Sequence, residues 1–322
     1  MTDRARDAAP VAGARSNGGR VRALLVFNPN ATTTDEGVRD VIASALRSAV
    51  DLTVQPTKQR GHATLLTAGA VHEGIEVVFA LGGDGTANEV LQALAGTEVR
   101  LGIIPGGGAN VLARNLGLPN DAVQATSKLL EAVRADRTRR ISLGLAGERY
   151  FGFNAGYGFD AAVIRHVEQH AGAKRWLRQG AFVWSVGREW AMGAGREGAT
   201  VTVTLPDGST LGPVAISMIG NCDPYTYLGP RPMRVHPWAS FDLGLDLLTL
   251  DKPNTPRLLG VVSGTFRDGR HISARGVRYH HDLGAFTLSS PTPQPLMVDG
   301  DYAGEHHAVA FTSVPGALRV LV

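Results

Sequence analysis

Short apolar runs alternate with amphipathic segments along the first part of the chain. Four runs have the length and composition of buried strands: residues 23–27, 52–54, 75–81 and 101–104. Residues 36–50 carry apolar side chains at the i, i+3, i+4, i+7 spacing of an amphipathic helix, and residues 62–73 form a second predicted helix. Because continuous apolar runs are typical of parallel strands buried on both faces, the alternation predicts an open, doubly wound α/β sheet.

From about residue 140 the pattern changes to many short strands separated by turn residues. The predicted strands are residues 141–145, 150–154, 201–205, 214–219, 247–250, 285–289, 295–298, 309–312 and 318–321. One helical stretch, residues 161–192, interrupts them. This order predicts a second, mainly antiparallel β domain, a sandwich or half-barrel. Whether its last strands return to the first domain is left open.

Composition divides the chain into three parts and narrows the class of protein. Residues 1–20 contain almost no large apolar side chain and predict a disordered leader, followed by the α/β domain at 21–139 and the β domain at 140–322. The single cysteine, Cys222, excludes an intramolecular disulfide and a cysteine-built zinc site. A net charge of +3 weakly favours an anionic partner and does not indicate nucleic acid. No apolar run approaches the ~20 residues of a membrane span.

A glycine-rich junction follows the third predicted strand. Residues 82–86 read Gly-Gly-Asp-Gly-Thr, and residues 87–94 then begin a predicted helix. Glycines allow backbone N–H groups to approach a ligand, so a strand–GGDGT–helix junction can hold phosphate groups. Asp84 is placed where it could bind a phosphate-bound Mg²⁺. The alternative is a tight turn without a ligand, and the sequence context favours nucleotide binding.

Other polar segments also follow predicted strand ends. Residues 103–114 (IIPGGGANVLAR) form a second glycine-rich loop, in which Gly107, Gly108 and Asn110 could surround a nucleotide; a purely structural loop is the alternative. Asn28 and Thr57 lie just beyond two further strands. Ligands of open α/β sheets bind outside the carboxyl ends of the strands, so we expect these segments to converge on one crevice.

Three segments of the second domain contain candidate chemistry. Residues 298–301 (VDGD) place Asp299 and Asp301 on one face if they form a strand, or in an ordinary turn. Residues 153–161 (FNAGYGFDA) could line a cleft or serve as a hinge between domains. Residues 223–241, rich in proline, glycine and aromatic residues, could form a lid over the substrate or an ordered surface loop.

The linked motifs resemble the soluble diacylglycerol kinase catalytic family, which also includes sphingosine and ceramide kinases. The resemblance runs from Asn28-Pro29 through GGDGTANEV and IIPGGGANVLAR to VDGD and covers about residues 21–322. It implies an α/β domain similar to that of NAD kinases, which binds ATP, and a β domain for a lipid substrate. The residues it implies for ATP are Asn28, Thr57, Gly82, Gly83, Asp84, Gly85 and Thr86.

The same resemblance implies catalytic roles for three aspartates and shows departures from the family pattern. Asp299 would be the general base, Asp301 would replace the acid that often follows the glycine, and Asp84 would hold Mg²⁺. Gly108 stands where the family commonly has threonine, and Val111 stands at the position of a second acid. A family segment near a structural metal has only a partial match at residues 241–244.

The expected function is therefore ATP-dependent phosphorylation of a lipid hydroxyl, as in diacylglycerol or a sphingoid base. An NAD kinase-like enzyme, a non-catalytic nucleotide- or lipid-binding module and a lipid-transfer protein without a nucleotide are the alternatives. The expected partners are ATP, Mg²⁺ and a lipid at a membrane surface, with a homodimer left open. We expect a cytoplasmic protein that associates peripherally with the membrane.

Overall fold

The computed structural model describes residues 20–29, 35–158, 200–251, 255–267 and 269–322. The predicted leader, except Arg20, and the predicted helical stretch at 161–192 lie outside these ranges. Within the described part of the chain, no helix combines the length and the apolar character needed to cross a membrane.

The first domain is a parallel sheet covered by helices on both faces. Its strands are β1 (Arg22–Phe27), β2 (Asp51–Pro56), β3 (Val77–Gly82) and β4 (Arg100–Pro105). Its helices are α1 (Glu36–Arg47), α2 (His62–His72), α3 (Asp84–Leu94), α4 (Val111–Asn115) and α5 (Ala122–Arg134). The strands pair in the order β2-β1-β3-β4; α1 packs with α5 on one face, and α2 packs with α3 on the other. The predicted doubly wound α/β class is confirmed.

Burial explains why most of these elements could be predicted. Every residue of β3 and β4 is buried, which accounts for their continuous apolar runs, whereas β2 lies at the sheet edge and alternates. Asp35 and Asp121 accept the backbone N–H groups of Val38 and Gln124, so they cap the N-termini of α1 and α5. The sequence did not predict α5, because small residues supply much of its buried face.

The remaining chain is rich in antiparallel strands. They are β5 (Thr138–Ala146), β6 (Arg149–Phe151), β7 (Asn154–Gly158), β8 (Val201–Thr204), β9 (Thr210–Val214), β10 (Ile216–Gly220), β11 (Thr226–Leu228), β12 (Arg231–Met233), β13 (Leu245–Leu250), β14 (Val277–Leu283), β15 (Ala285–Val298) and β16 (Asp301–Leu321). Helix α6 (Thr255–Thr265) and a 3₁₀ turn (Arg270–Ser273) separate β13 from β14.

One sheet runs through both halves of the described chain. Its main path is β14-β13-β10-β7-β15-β16-β4-β3-β1-β2, and the end of β16 pairs in parallel with β4. The four predicted strands between residues 285 and 321 are in fact two long ones, because the β15–β16 ladder continues through bulges. Conversely, the single strand predicted at residues 150–154 is wrong, because residues 152 and 153 separate two strands, β6 and β7. The β11–β12 hairpin forms within residues 223–241.

Candidate active site

The segments at the carboxyl ends of β1 to β4 lie against one another, as expected. The backbone N–H of Asn28 donates to the Leu81 carbonyl at 3.3 Å, and that of Thr57 donates to the Phe27 carbonyl at 2.8 Å. The Gly106 N–H donates to the Gly82 carbonyl at 2.7 Å. The structure therefore brings the predicted nucleotide-binding segments together at one edge, while their contact with a nucleotide stays a prediction.

The two glycine loops interlock backbone against backbone. A Cβ atom added to Gly107 would lie 2.7 Å from the Gly83 Cα, and one added to Gly82 would lie 2.5 Å from the Thr86 hydroxyl oxygen. Gly85 differs, because its nearest neighbours would be the Asp301 carboxylate oxygens at 3.9 Å. Gly107 is thus required where the two loops meet, and Gly82 is required beside Thr86, whereas a Cβ on Gly83 would make only ordinary contact with Gly107 at 3.4 Å. Gly85 leaves space in front of the loop.

Asn110 shapes the second loop. Its backbone is left-handed (φ 49°), its Oδ1 accepts the Gly107 N–H at 2.9 Å, and its Nδ2 donates to the Gly107 carbonyl and to Asn120. The side chain is buried, and both ends of its amide are engaged within the protein. Asn110 therefore closes the loop, and its contact with a nucleotide stays a prediction. Gly108, two residues earlier, is exposed.

Asp84 begins helix α3 and ties it to helix α4. Its Oδ1 accepts the Leu112 N–H at 3.2 Å, at the first turn of α4. Burial raises the pKa of Asp84, while backbone N–H groups of residues 110–112 partly offset that rise and the charge of Asp301 adds to it. Its carboxylate therefore has a structural task besides the metal-binding role expected from the sequence.

Helix α3 positions two further segments through neighbouring side chains. The Glu89 carboxylate accepts the Gly61 N–H at 2.8 Å and the Ala63 N–H at 3.0 Å, and so satisfies the N-terminus of α2. Asn88 donates to Asp299 Oδ2 at 2.8 Å and accepts from Arg149 at 3.1 Å. One helix following GGDGT thus fixes the loop before α2 and connects to the second half of the chain.

The VDGD segment is a tight hairpin turn between β15 and β16. Val298 pairs with Asp301, and the two residues between them, Asp299 and Gly300, have φ values of 48° and 81°. Positive φ at both central residues is the pattern of a type I′ turn, for which Asp-Gly is a favoured sequence. In this turn the two aspartates occupy different environments, a difference that their spacing in the sequence does not reveal.

Asp299 points into the protein. Its carboxylate accepts N–H groups from Gly152 (2.7 Å), Phe153 (2.9 Å) and Asn154 (3.1 Å) as well as from Asn88, and the residue is 3% exposed. Burial raises its pKa to about 6, against the opposing effect of these N–H groups. Four donors occupy the lone pairs of a carboxylate, so this geometry argues against the predicted proton-accepting role of Asp299.

Asp301 faces the GGDGT loop instead. Its side chain is 25% exposed, and its Oδ2 lies 3.1 Å from the Arg149 guanidinium and 3.4 Å from that of Arg60. Arg60 comes from the loop before α2, and Arg149 begins β6. Neither arginine was predicted from the sequence; Arg60 directly precedes Gly61, the N-cap of α2.

Two other sequence candidates lie within the described chain, and a third lies outside it. Residues 226–233 form a hairpin beside α4, where the Arg114 guanidinium stacks 3.3 Å from the Tyr227 ring centroid and the Asn115 amide donates to the Pro224 carbonyl. Asp242, within the partial metal-site match, pairs with Arg139 at 2.7 Å. Asp160, in the 153–161 segment, lies outside the described residues.

Comparison with known proteins shows which proteins the chain is similar to. Residues 22–146 match the diacylglycerol kinase catalytic domain. A diacylglycerol kinase from Staphylococcus aureus is 27% identical over 293 residues, covering 89% of this chain and 88% of its own, and one from Staphylococcus saprophyticus is 26% identical over 291 residues, covering 89% and 90%. The solved structure of a diacylglycerol kinase from Bacillus anthracis shares the fold, with a TM-score of 0.66 at 19% identity over 94% of this chain and 96% of that one. The chain is thus similar to diacylglycerol kinases over most of its length, and its first domain matches the diacylglycerol kinase catalytic domain.

Proposed function

We infer that the protein is an ATP-dependent lipid kinase, which transfers the γ-phosphoryl group of ATP to the hydroxyl of a lipid such as diacylglycerol or a sphingoid base. The observation that carries this inference is the position of Asp301. A partly exposed carboxylate, flanked by two guanidinium groups, faces the open side of Gly85 in a chain similar to diacylglycerol kinases. These are the groups that phosphoryl transfer requires for proton acceptance and charge neutralisation.

The nucleotide is expected at the N-terminus of helix α3. The N-cap residue of this helix is Gly83, which has no side chain that could accept a hydrogen bond from the first backbone N–H groups. Uncapped N–H groups and the helix dipole favour phosphate, and Gly85 leaves room for it. We expect Asn28, Thr57, Gly82, Gly83 and Thr86 to contact the nucleotide there, together with Gly107 and Gly108 of the second loop.

The residues present also fit a magnesium ion. No cluster of three or more histidine, cysteine or acidic side chains suited to a metal occurs in the described ranges, but Asp84 and Asp301 interact electrostatically beside Gly85. Kinase sites commonly hold Mg²⁺ through one or two carboxylates together with substrate phosphates and water. Mg²⁺ held by Asp84 would supply neutralisation of phosphate charge.

We assign proton acceptance to Asp301 and a positioning role to Asp299. Asp301 is the carboxylate with solvent access next to the expected phosphates, whereas Asp299 fixes residues 152–154 and the side chain of Asn88. Asn88 also contacts Arg149, which contacts Asp301. Arg60 and Arg149 would neutralise charge on the transferred group, since guanidinium groups bind phosphate oxygens strongly.

Two exposed aromatic side chains support action at a membrane surface. Trp238 is 56% exposed and Phe266 is 40% exposed, and exposed Arg267 and Arg270 lie nearby in the chain. The Arg234 N–H donates to the Thr265 carbonyl at 2.8 Å, which places the segments bearing Trp238 and Phe266 side by side. Aromatic and basic side chains together favour an anionic membrane interface.

The direct test is incubation of the purified protein with labelled ATP, Mg²⁺ and one acceptor at a time. We expect label to enter diacylglycerol or a sphingoid base presented in mixed micelles. Transfer to NAD but to no lipid would support the NAD kinase-like alternative. Binding of ATP without transfer to any acceptor would instead support a non-catalytic module.

A further inference from the structure

A cavity of about 440 Å³ opens beside the candidate catalytic centre. It lies between the β5–β6 turn and strands β15 and β16, and its lining consists of Ala146, Gly147, Glu148, Arg149, Leu296, Ala303, His306, Ala308, Val309 and Ala310. Arg149 belongs both to this lining and to the contacts of Asp301. Ala303 follows Asp301 by two residues on β16. Arg149 therefore connects the lining of the cavity to Asp301, the proposed base.

The lining is mainly apolar, with three polar side chains. Leu296, Val309 and four alanines form most of the lining, whereas Glu148, Arg149 and His306 are its polar members. Ala308 and Ala310 are exposed and lie two residues apart, so they share one face of β16. Their small side chains leave the space that a larger residue would fill. Such a combination of apolar walls and few polar groups is typical of small-molecule sites of this size.

The position of the cavity relative to the GGDGT loop indicates which reactant it would take. Asp301 faces Gly85 on the nucleotide side and contacts Arg149, which lines the cavity. In phosphoryl transfer the attacking and leaving oxygens are roughly in line, so donor and acceptor approach the transferred group from opposite sides. With phosphates at Gly85, the acceptor would enter from the side of Arg149.

We propose that this cavity binds the alkyl part of the acceptor alcohol, with the hydroxyl directed toward Asp301 and Arg149. This inference rests on the proposed lipid kinase function and extends it by naming the surface that selects the acceptor. The occupant is an uncharged long-chain alcohol, because the walls away from Arg149 are mainly apolar. The cavity then determines which chain lengths are phosphorylated.

The test compares Ala308→Trp with Ala285→Trp, an exposed alanine on β15 outside the cavity lining. Diacylglycerols of increasing chain length are presented in mixed micelles, and kcat/KM is measured with each. We expect Ala308→Trp to reduce kcat/KM for long-chain acceptors by about tenfold, the effect of losing roughly two methylene contacts, with less change for short chains. Affinity for ATP should not change, and Ala285→Trp should match wild type.

A binding measurement keeps the inference separate from the proposed function. A fluorescent long-chain diacylglycerol is titrated with each protein in the absence of ATP. Weaker binding to Ala308→Trp alone supports the cavity, whether or not wild type phosphorylates a lipid. Equal binding and an unchanged chain-length profile in Ala308→Trp overturn the assignment, even if wild type is an active lipid kinase. If Ala308→Trp does not fold, Ala308→Leu is tested with the same outcomes.

Discussion

The interlocked glycine loops allow a sharp prediction for Gly107→Ala. The added methyl group would lie 2.7 Å from the Gly83 Cα and 3.0 Å from the Asn110 Oδ1. Carbon atoms pack best at about 3.5–4.0 Å, so the two loops must separate by roughly 1 Å. Neither contact is with the end of a flexible side chain, because one is backbone and the other is the amide that closes the loop.

The expected cost follows from this displacement. Overpacking of a well-packed region costs about 1–3 kcal/mol of unfolding free energy, which lowers the melting temperature by several degrees. A misplacement of about 1 Å at a reacting centre can reduce the rate by about 10²-fold. We therefore expect Gly107→Ala to lose both stability and phosphoryl transfer.

The matched control is Gly69→Ala in helix α2. An added Cβ there meets no atom within 4 Å, and alanine is favoured over glycine in a helix by about 0.5–1 kcal/mol. Thermal unfolding and steady-state transfer of labelled phosphate are measured for both variants. If Gly107→Ala resembles Gly69→Ala, with unchanged or higher stability and normal turnover, the interlocking argument is refuted.

Three further predictions concern charge, pH and the membrane. Arg149→Gln should lower kcat by at least about tenfold with little effect on folding, and Arg149→Lys should restore only part of it, because lysine cannot form paired N–H bonds to phosphate. Burial raises the pKa of Asp299 to about 6, above an ordinary value of about 3.9. The folded state therefore binds the Asp299 proton more tightly than the unfolded chain does. This proton binding contributes up to about 3 kcal/mol to the free energy of unfolding below pH 4, and the contribution is lost as pH rises through 6. Urea unfolding of wild type should show this fall in the free energy of unfolding, and Asp299→Asn should lack it. Replacing Trp238 and Phe266 by alanine should weaken cosedimentation with anionic vesicles, whereas unchanged sedimentation would exclude that surface.

The sequence predicted the α/β half well because its signals are local. Strands β3 and β4 are buried along their whole length, so apolar runs reveal them, and GGDGT marks the strand end itself. The convergence of Asn28, Thr57 and both glycine loops follows from the rule that parallel strands end at one edge.

The roles of the two VDGD aspartates depended on distant residues. The backbone donors to Asp299 lie 145–147 residues earlier, and Arg60 lies 241 residues before Asp301. Nothing in the local pattern distinguishes an Asp-Gly turn on the surface from one whose aspartate is inserted among backbone N–H groups. The lengths of β15 and β16 were missed for a related reason, since bulges interrupt the alternation without ending the ladder.

The central claim is that Asp301 accepts the proton of the lipid hydroxyl beside a nucleotide held at GGDGT. The most direct measurement is lipid phosphorylation by Asp301→Asn, with ATP affinity and melting temperature determined on the same protein. General base catalysis contributes about 10²–10⁴-fold, so turnover should fall by that factor while ATP affinity stays within a few-fold of wild type and the protein remains folded. Turnover at the wild-type rate in Asp301→Asn would contradict the account.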